Sequence, residues 1–236
     1  MKHISQVWKN FLPHVIAIIF FLILSYAYFP SLLEGKAIQQ SDVMQYRGMA
    51  KEIKNFREKT GEEPLWTNSM FGGMPSFFIS TQYPNNYIKH IDKLLQIGER
   101  PASLLFLCML SFYIALVLFR VKPWLSIVGA IAYGFTSYFI IILAVGHNTK
   151  AISIAYMAPV IASIIYSYRN KLLLGLALTG IFLALLIQAN HPQIAYYSLM
   201  IVVIFGISEL IYYIRNKQVL KFLKIRNNNK IVLTNK

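Results

Sequence analysis

Long apolar runs alternate with short polar segments along this chain. Six of the runs come close to the ~20 mostly apolar residues that a helix needs to cross the hydrocarbon core of a membrane. The first run exceeds the ~7–15 apolar residues of a signal peptide, so we interpret it as an uncleaved anchor. The pattern predicts an all-α polytopic membrane protein with about six transmembrane helices. The runs cover residues 11–29, 102–119, 123–145, 151–168, 172–189 and 194–214.

The composition favours the same class of protein. With 56% hydrophobic residues, 14% charged residues and a mean hydropathy of +0.51, the chain is not disordered, and a water-soluble single domain is disfavoured. The net charge of +14 raises the question of a nucleic-acid partner. However, eight of the nine acids lie within residues 31–100, and the excess positive charge forms short clusters at the ends of the apolar runs. Membrane-protein loops carry charge in this way, so we expect no nucleic-acid partner.

The positive charges also predict an orientation, because Lys and Arg in short loops are retained on the cytoplasmic side. With the N-terminus inside, only Lys150 falls in the two short outside loops, and both termini are predicted to be cytoplasmic. All the other basic residues beyond the large first loop fall at cytoplasmic ends. They are Lys2, Lys9, Arg120, Lys122, Arg169, Lys171, Arg215, Lys217, Lys221, Lys224, Arg226, Lys230 and Lys236.

This topology divides the chain into four parts. Residues 1–30 form a cytoplasmic N-terminus with the first helix, and 31–101 form a large extracytoplasmic loop. Residues 102–215 hold the remaining five helices, and 216–236 form a basic cytoplasmic tail. Within the loop, apolar residues recur at helical spacing over 42–59 and again over 87–95, which predicts two amphipathic helices on the outer membrane surface.

Polar residues that the composition does not explain gather on the predicted outer side. Individually, each has an ordinary explanation: Asp42 could cap a helix, His147 and His191 could be hydrogen-bonded turn residues, and Lys150 could be a surface cation. Together they could hold a lipid-linked phosphate at the membrane interface, while a carboxylate removes a proton from an acceptor or binds a divalent metal. The candidate site residues are Asp42, Gln45, Arg47, His147, Asn148, Lys150, Asn190, His191 and Gln193.

Four separated strings carry a family resemblance. They begin at Gln39-Gln40-Ser41-Asp42, Trp66-Thr67-Asn68-Ser69, Gly146-His147-Asn148-Thr149-Lys150 and Asn190-His191-Pro192-Gln193. The second string continues through Met70-Phe71-Gly72-Gly73-Met74-Pro75. Together, over about residues 11–215, they resemble the N-terminal part of bacterial YfhO-family membrane proteins of the cell envelope, in the bacterial cytoplasmic membrane.

The resemblance implies a C-type glycosyltransferase-like fold, with an acidic residue just after the first helix. Family members are implicated in transferring a sugar from a polyprenyl-phosphate donor to an extracytoplasmic glycan or polymer. By this resemblance Asp42 takes the place of the catalytic acid, as a general base or metal ligand. The other eight candidate residues would bind substrate; contacts of His147, Lys150 and His191 with the donor phosphate are our inference from charge and predicted sidedness.

YfhO-family members usually run several hundred residues further, with more membrane helices. We therefore expect either a truncated chain, inactive alone, or a second chain that supplies the remaining helices. The leading hypothesis is the N-terminal module of a polyprenyl-phosphate-sugar-dependent glycosyltransferase. The alternative is a non-enzymatic membrane transporter or assembly partner for a lipid-linked glycan, which buried mid-membrane charges or discontinuous helices would favour.

Overall fold

The computed structural model describes residues 2–169 and 171–217. The all-α class is confirmed, with about 74% of the chain helical. A two-stranded antiparallel ladder in the first loop pairs β1 (Trp66–Thr67) with β2 (Met74–Pro75). The α-helices are α1 (Lys2–Tyr28), α2 (Ser41–Met49), α3 (Lys51–Thr60), α4 (Ile88–Leu95), α5 (Ala102–Leu118), α6 (Pro123–Gly134), α7 (Ser137–Val145), α8 (Asn148–Arg169), α9 (Leu172–Gln188) and α10 (Pro192–Arg215).

All six apolar runs form helices, but they differ in their capacity to span a membrane. Among the described residues, three helices are long and apolar enough to cross: the Phe11–Tyr28 part of α1, then α8 and α10. The pair α6 and α7 makes a fourth span if it is counted as one broken helix. The helices α5 and α9 are apolar but have 17 residues each. The chain therefore has the helices of a membrane protein, and the number six stays a prediction.

The run 123–145 is not the single helix that the pattern predicts. It divides into α6 and α7, which meet at an angle of 53°. The helix α6 ends at Gly134, and Thr136 adopts an extended backbone with ψ 143°, which interrupts the ladder of helical hydrogen bonds. Gly134 also packs closely, since a Cβ atom there would lie 2.5 Å from Cγ of Met109. The break therefore coincides with a tight contact to α5.

The bundle is built around α5, whose residues from Ala102 to Met109 are all buried. A helix that is apolar on every face is buried either in protein or in lipid, and α5 packs against α1, α6 and α8. Small residues let these backbones approach, as Ala130 of α6 and Ala151 and Ala155 of α8 are fully buried. The helix α5 is thus the centre of the core.

The large loop does not contain the single helix predicted over 42–59. Ala50 separates α2 from α3, and Ile53 is buried. The helix α4 matches the second prediction, residues 87–95, to within one residue. Residues 218–236, which include most of the predicted basic tail and its Lys221, Lys224, Arg226, Lys230 and Lys236, lie outside the described residues.

The contact between α8 and α9 generates a stability prediction. A Cβ atom at Gly175 would lie 2.4 Å from the backbone Cα of Ser167, so Gly175→Ala must push the two helices apart. We expect the substitution to cost about 1–3 kcal/mol and to lower the thermal midpoint of the protein in detergent.

The control is Gly180→Ala in the same helix, where a Cβ atom meets nothing within 4 Å. This variant should keep or slightly raise the thermal midpoint, because Ala is the better helix former. Equal midpoints for the two variants would show that the close approach at Gly175 is not required.

Candidate functional site

The polar turns of the bundle meet the large loop at one end, which we call the loop end. The helices run back and forth, so the C-termini of α1, α7 and α9 and the N-termini of α5, α8 and α10 lie there. Several hydrogen bonds fasten the loop to this end, and three of them involve the bundle side chains of Tyr26, Tyr156 and Gln188. They join Glu99 N–H to the Tyr26 hydroxyl (3.0 Å), the Tyr156 hydroxyl to Asp92 Oδ1 (2.6 Å), and Asn86 Nδ2 to Gln188 Oε1 (2.8 Å).

Asp42 and His147 are in direct contact at the loop end, through Oδ2 of Asp42 and Nδ1 of His147, and they form an ion pair when His147 is protonated. Asp42 lies in the first turn of α2, where the positive end of the helix dipole favours a carboxylate. His147 immediately precedes α8, and its carbonyl accepts the first helical hydrogen bond, from Ala151 N–H at 3.0 Å. Each side chain is partly exposed, so the pair is accessible to a ligand.

Backbone contacts beside this pair fix its position. The Gln40 side-chain amide donates to the Leu143 carbonyl, and the Ser41 hydroxyl donates to the Val145 carbonyl at 3.4 Å. Gly146 ends α7 with φ 98°, and a Cβ atom there would lie 2.9 Å from Cβ of Gln40. The position therefore requires glycine for both its conformation and its packing.

His191 and Lys150 extend the Asp42–His147 pair into a cluster of four, which we call the loop-end cluster. His191 precedes α10, and partial burial lowers the pKa of its imidazole below the usual value. The charges of Lys150 and His147 act on His191 in the same direction, so these three groups lie near one another. At neutral pH, His191 is therefore a neutral hydrogen-bonding group. The Lys150 ammonium lies 5.4 Å from the centre of the Tyr138 ring.

Two polar atoms on these turns are buried without a partner. Within residues 2–169 and 171–217, neither Oδ1 of Asn148 nor Nδ1 of His191 has a hydrogen-bond partner. Buried polar atoms are normally paired, and an exception indicates a functional role or a missing partner. The loop end therefore has free hydrogen-bonding capacity next to its charged groups.

The remaining predicted site residues lie outside the loop-end cluster. Gln45 and Arg47 are exposed on α2, and their side chains form no hydrogen bond within the part of the chain that the structure describes. Gln193 is exposed, and its amide donates to the Tyr197 hydroxyl at 2.7 Å. Asn190 lines a neighbouring cleft with Gln188. The structure thus brings four of the nine residues together, with Asn148 beside them.

The sequence analysis missed the residues that shape the loop. The Glu52 carboxylate accepts hydrogen bonds from the Thr67 hydroxyl and from the backbone N–H groups of Asn68 (2.9 Å) and Ser69 (3.0 Å). Arg57 pairs with Glu63 at 2.7 Å and donates to the Ser80 carbonyl at 2.7 Å. Of the missed residues, Gln40 could have been identified from the sequence, because it belongs to the first quoted string.

The described residues do not form a ready metal site. Over residues 2–169 and 171–217, no group of three or more His, Cys, Asp and Glu side chains could hold a metal ion together. Asp42 contributes one carboxylate, and His147 already occupies one of its oxygens. The metal role of Asp42 therefore stays a prediction, and it would need ligands from a substrate phosphate or from water.

The fold and the loop end define an all-α protein with membrane-type apolar helices and a polar cluster where several of them end. Compared with models of known protein families, with curated protein sequences and with solved structures, this chain matches none of them.

The contacts of Glu52 generate a pH prediction. The hydrogen bond from Thr67, with those from Asn68 and Ser69, lowers the pKa of Glu52 below its ordinary value of 4.5. A lowered pKa in the folded state stabilises the loop above pH 4.5, and this contribution is lost as the pH falls through the lowered pKa. Acidification should therefore loosen the hairpin. Fluorescence of Trp66, in a background of Trp8→Phe and Trp124→Phe, reports the change.

In that background, Glu52→Gln should already loosen the hairpin at pH 7 and should flatten the acid transition. The control is Glu62→Gln, because Glu62 is exposed and its carboxylate has no partner among the residues that the structure describes. An unchanged acid transition in the Glu52→Gln variant would contradict the assignment.

Proposed function

We propose that this chain is a six-span protein of the bacterial cytoplasmic membrane, with both termini inside and the loop end outside. The distribution of Lys and Arg supports this orientation. We further propose that it is the N-terminal module of a YfhO-like glycosyltransferase, which transfers a sugar from a polyprenyl-phosphate donor to an extracytoplasmic glycan or polymer. The four strings quoted above support the assignment, and three of them contribute to the loop-end cluster.

The observation that carries the proposal is the Asp42–His147 ion pair. In isolation, Asp42 could serve only as a helix-capping residue, but its carboxylate is held by a histidine from a turn 105 residues later. Oδ1 of Asp42 is engaged by no other side chain among the described residues. An oriented carboxylate with one free oxygen is suited to accept a proton.

The proposed reaction is a displacement at the anomeric carbon of the donor sugar. The acceptor hydroxyl oxygen forms a bond to that carbon, and the bond from the carbon to the phosphate oxygen breaks. Polyprenyl phosphate leaves with the electron pair, and Asp42 takes the proton of the acceptor hydroxyl. His147 is a positioning residue, since it holds the carboxylate in place.

Lys150 and His191 supply the contacts for the donor phosphate. Lys150 contributes a positive charge, and the neutral His191 contributes a hydrogen bond. Three helix N-termini, those of α2, α8 and α10, add partial positive charge at the same end. The unpartnered Asn148 Oδ1 could accept a hydrogen bond from a sugar hydroxyl. The polyprenyl tail would lie in the lipid bilayer.

Sugar transfer tests this function directly. Membranes that contain this chain are supplied with labelled polyprenyl-phosphate sugars, and transfer to the glycan fraction is measured. Asp42→Asn removes the base and should lower the rate by roughly 10²–10⁴-fold.

The matched control is Glu34→Gln, because Glu34 is an exposed loop carboxylate that also pairs with a cation, Lys36, at 2.5 Å. It should leave transfer unchanged. Transfer that persists in the Asp42→Asn variant would refute the role of Asp42. Absence of transfer by the inserted, folded wild-type chain would favour either a module that is inactive alone or the alternative function below.

The orientation has its own test. Cys108 is the one cysteine and is buried, so Cys108→Ser gives a silent background. In intact cells, a membrane-impermeant maleimide should label Glu62→Cys at the loop end but not Lys122→Cys at the opposite end. Both positions are exposed in the structure, so the difference reports sidedness alone. The reverse pattern would place the loop in the cytoplasm.

One observation favours the alternative, a transporter or assembly partner for a lipid-linked glycan. Discontinuous helices are typical of transporters, and α6 and α7 form a broken pair with a 53° bend. In reconstituted vesicles, a transporter would move a labelled polyprenyl-phosphate sugar across the bilayer. Movement without transfer would establish this function in place of the enzyme.

A further inference from the structure

A second site lies beside the loop-end cluster, in a cleft of about 600 Å³ between the large loop and the turn from α9 to α10. This volume lies within the range of small-molecule sites, roughly 300–1,000 Å³. Asn190 lines the cleft, and the next residue, His191, belongs to the loop-end cluster. The cleft is therefore one residue along the chain from the loop-end cluster. Its lining includes Glu63, Gln82, Tyr83, Asn86, Gln188 and Asn190.

The charged groups of the cleft are already engaged. Glu63 pairs with Arg57 at 2.7 Å, and the Lys89 ammonium donates to the Pro84 carbonyl at 3.3 Å. Arg57 compensates the charge of Glu63, whereas Lys89 keeps its charge, and the rest of the lining is uncharged. The cleft is consequently suited to a neutral, polar molecule.

The uncharged groups are available for such a ligand. The side chains of Thr81, Gln82 and Asn190 have no hydrogen-bond partner within the described ranges. The amide pair of Asn86 and Gln188 forms a fixed wall, with its two side chains joined at 2.8 Å. The Tyr83 side chain is 62% exposed and is free to present its ring.

We propose that this cleft binds a neutral saccharide, the glycan acceptor of the reaction. Free amides and a hydroxyl pair with sugar hydroxyls, and an exposed tyrosine ring packs against the apolar C–H face of a sugar. The role of the saccharide as acceptor rests on the proposed function. Binding of the saccharide to the cleft does not require sugar transfer. The cleft positions a sugar hydroxyl beside the turn that carries His191.

The test measures binding without donor. The full chain in lipid nanodiscs is titrated with maltotriose, cellotriose and chitotriose, followed by saturation-transfer NMR. We expect saturable binding of at least one trisaccharide. Tyr83→Ala and Asn190→Gly should each weaken it about five- to tenfold, through loss of ring packing and of an amide. Glycine suits position 190, where φ is 55°, so this variant keeps the turn.

Leu94→Ala is the control, since Leu94 is 73% exposed on α4 and does not line the cleft. The Leu94→Ala variant should bind the trisaccharide with unchanged affinity. In a second titration, a polyprenyl-phosphate sugar replaces the trisaccharide. Tyr83→Ala should leave the affinity for this donor unchanged. Loss of donor binding alone would assign the cleft to the donor and overturn the proposal.

The two proposals fail in different ways. Absence of saturable binding of all three trisaccharides, or binding that ignores Tyr83→Ala and Asn190→Gly, overturns the saccharide site whatever the transfer assay gives. Trisaccharide binding that depends on Tyr83, in a chain that transfers no sugar, supports the saccharide site and refutes sugar transfer by this chain alone.

Discussion

Each apolar helix of this chain satisfies its own backbone hydrogen bonds, and this requirement confines irregular backbone and polar chemistry to the helix ends. Two of the buried polar atoms that lack a partner among the described residues, Asn148 Oδ1 and His191 Nδ1, lie on the turns at 146–148 and 190–191. Because consecutive helices alternate in direction, these turns share one end of the bundle. The loop-end cluster is a consequence of this arrangement.

The large loop completes the loop end by docking onto the bundle. Its docking depends on side chains that reach bundle atoms, such as Gln40 with the Leu143 carbonyl and Asp92 with the Tyr156 hydroxyl. Internal links, above all Glu52 with the 67–69 turn and Arg57 with Ser80, give the loop its own structure. The ion pair and the cleft therefore depend on the same docked loop, although their ligands and tests are separate.

Much of the fold could be predicted, because apolar runs of nearly 20 residues leave few alternatives to a helix. The break after Gly134 could not be predicted, since Phe135 and Thr136 are not helix breakers and the close contact of Gly134 with Met109 is seen only in the structure. The proximity of His147 to Asp42 was reachable from predicted sidedness. The partnership of Glu52 with Thr67 was not, because hydrogen bonds between a helix and a distant turn leave no periodic signal in a single sequence.

The break between α6 and α7 has a consequence for the position of the site. The helix α7 has nine residues, a length of about 14 Å, which is close to half of the hydrocarbon core. A short segment that starts at a bend can tilt separately from α6, as helices do when bilayer thickness changes. Its far end leads directly into His147. A change in the bend between α6 and α7 would therefore move His147 relative to the rest of the bundle.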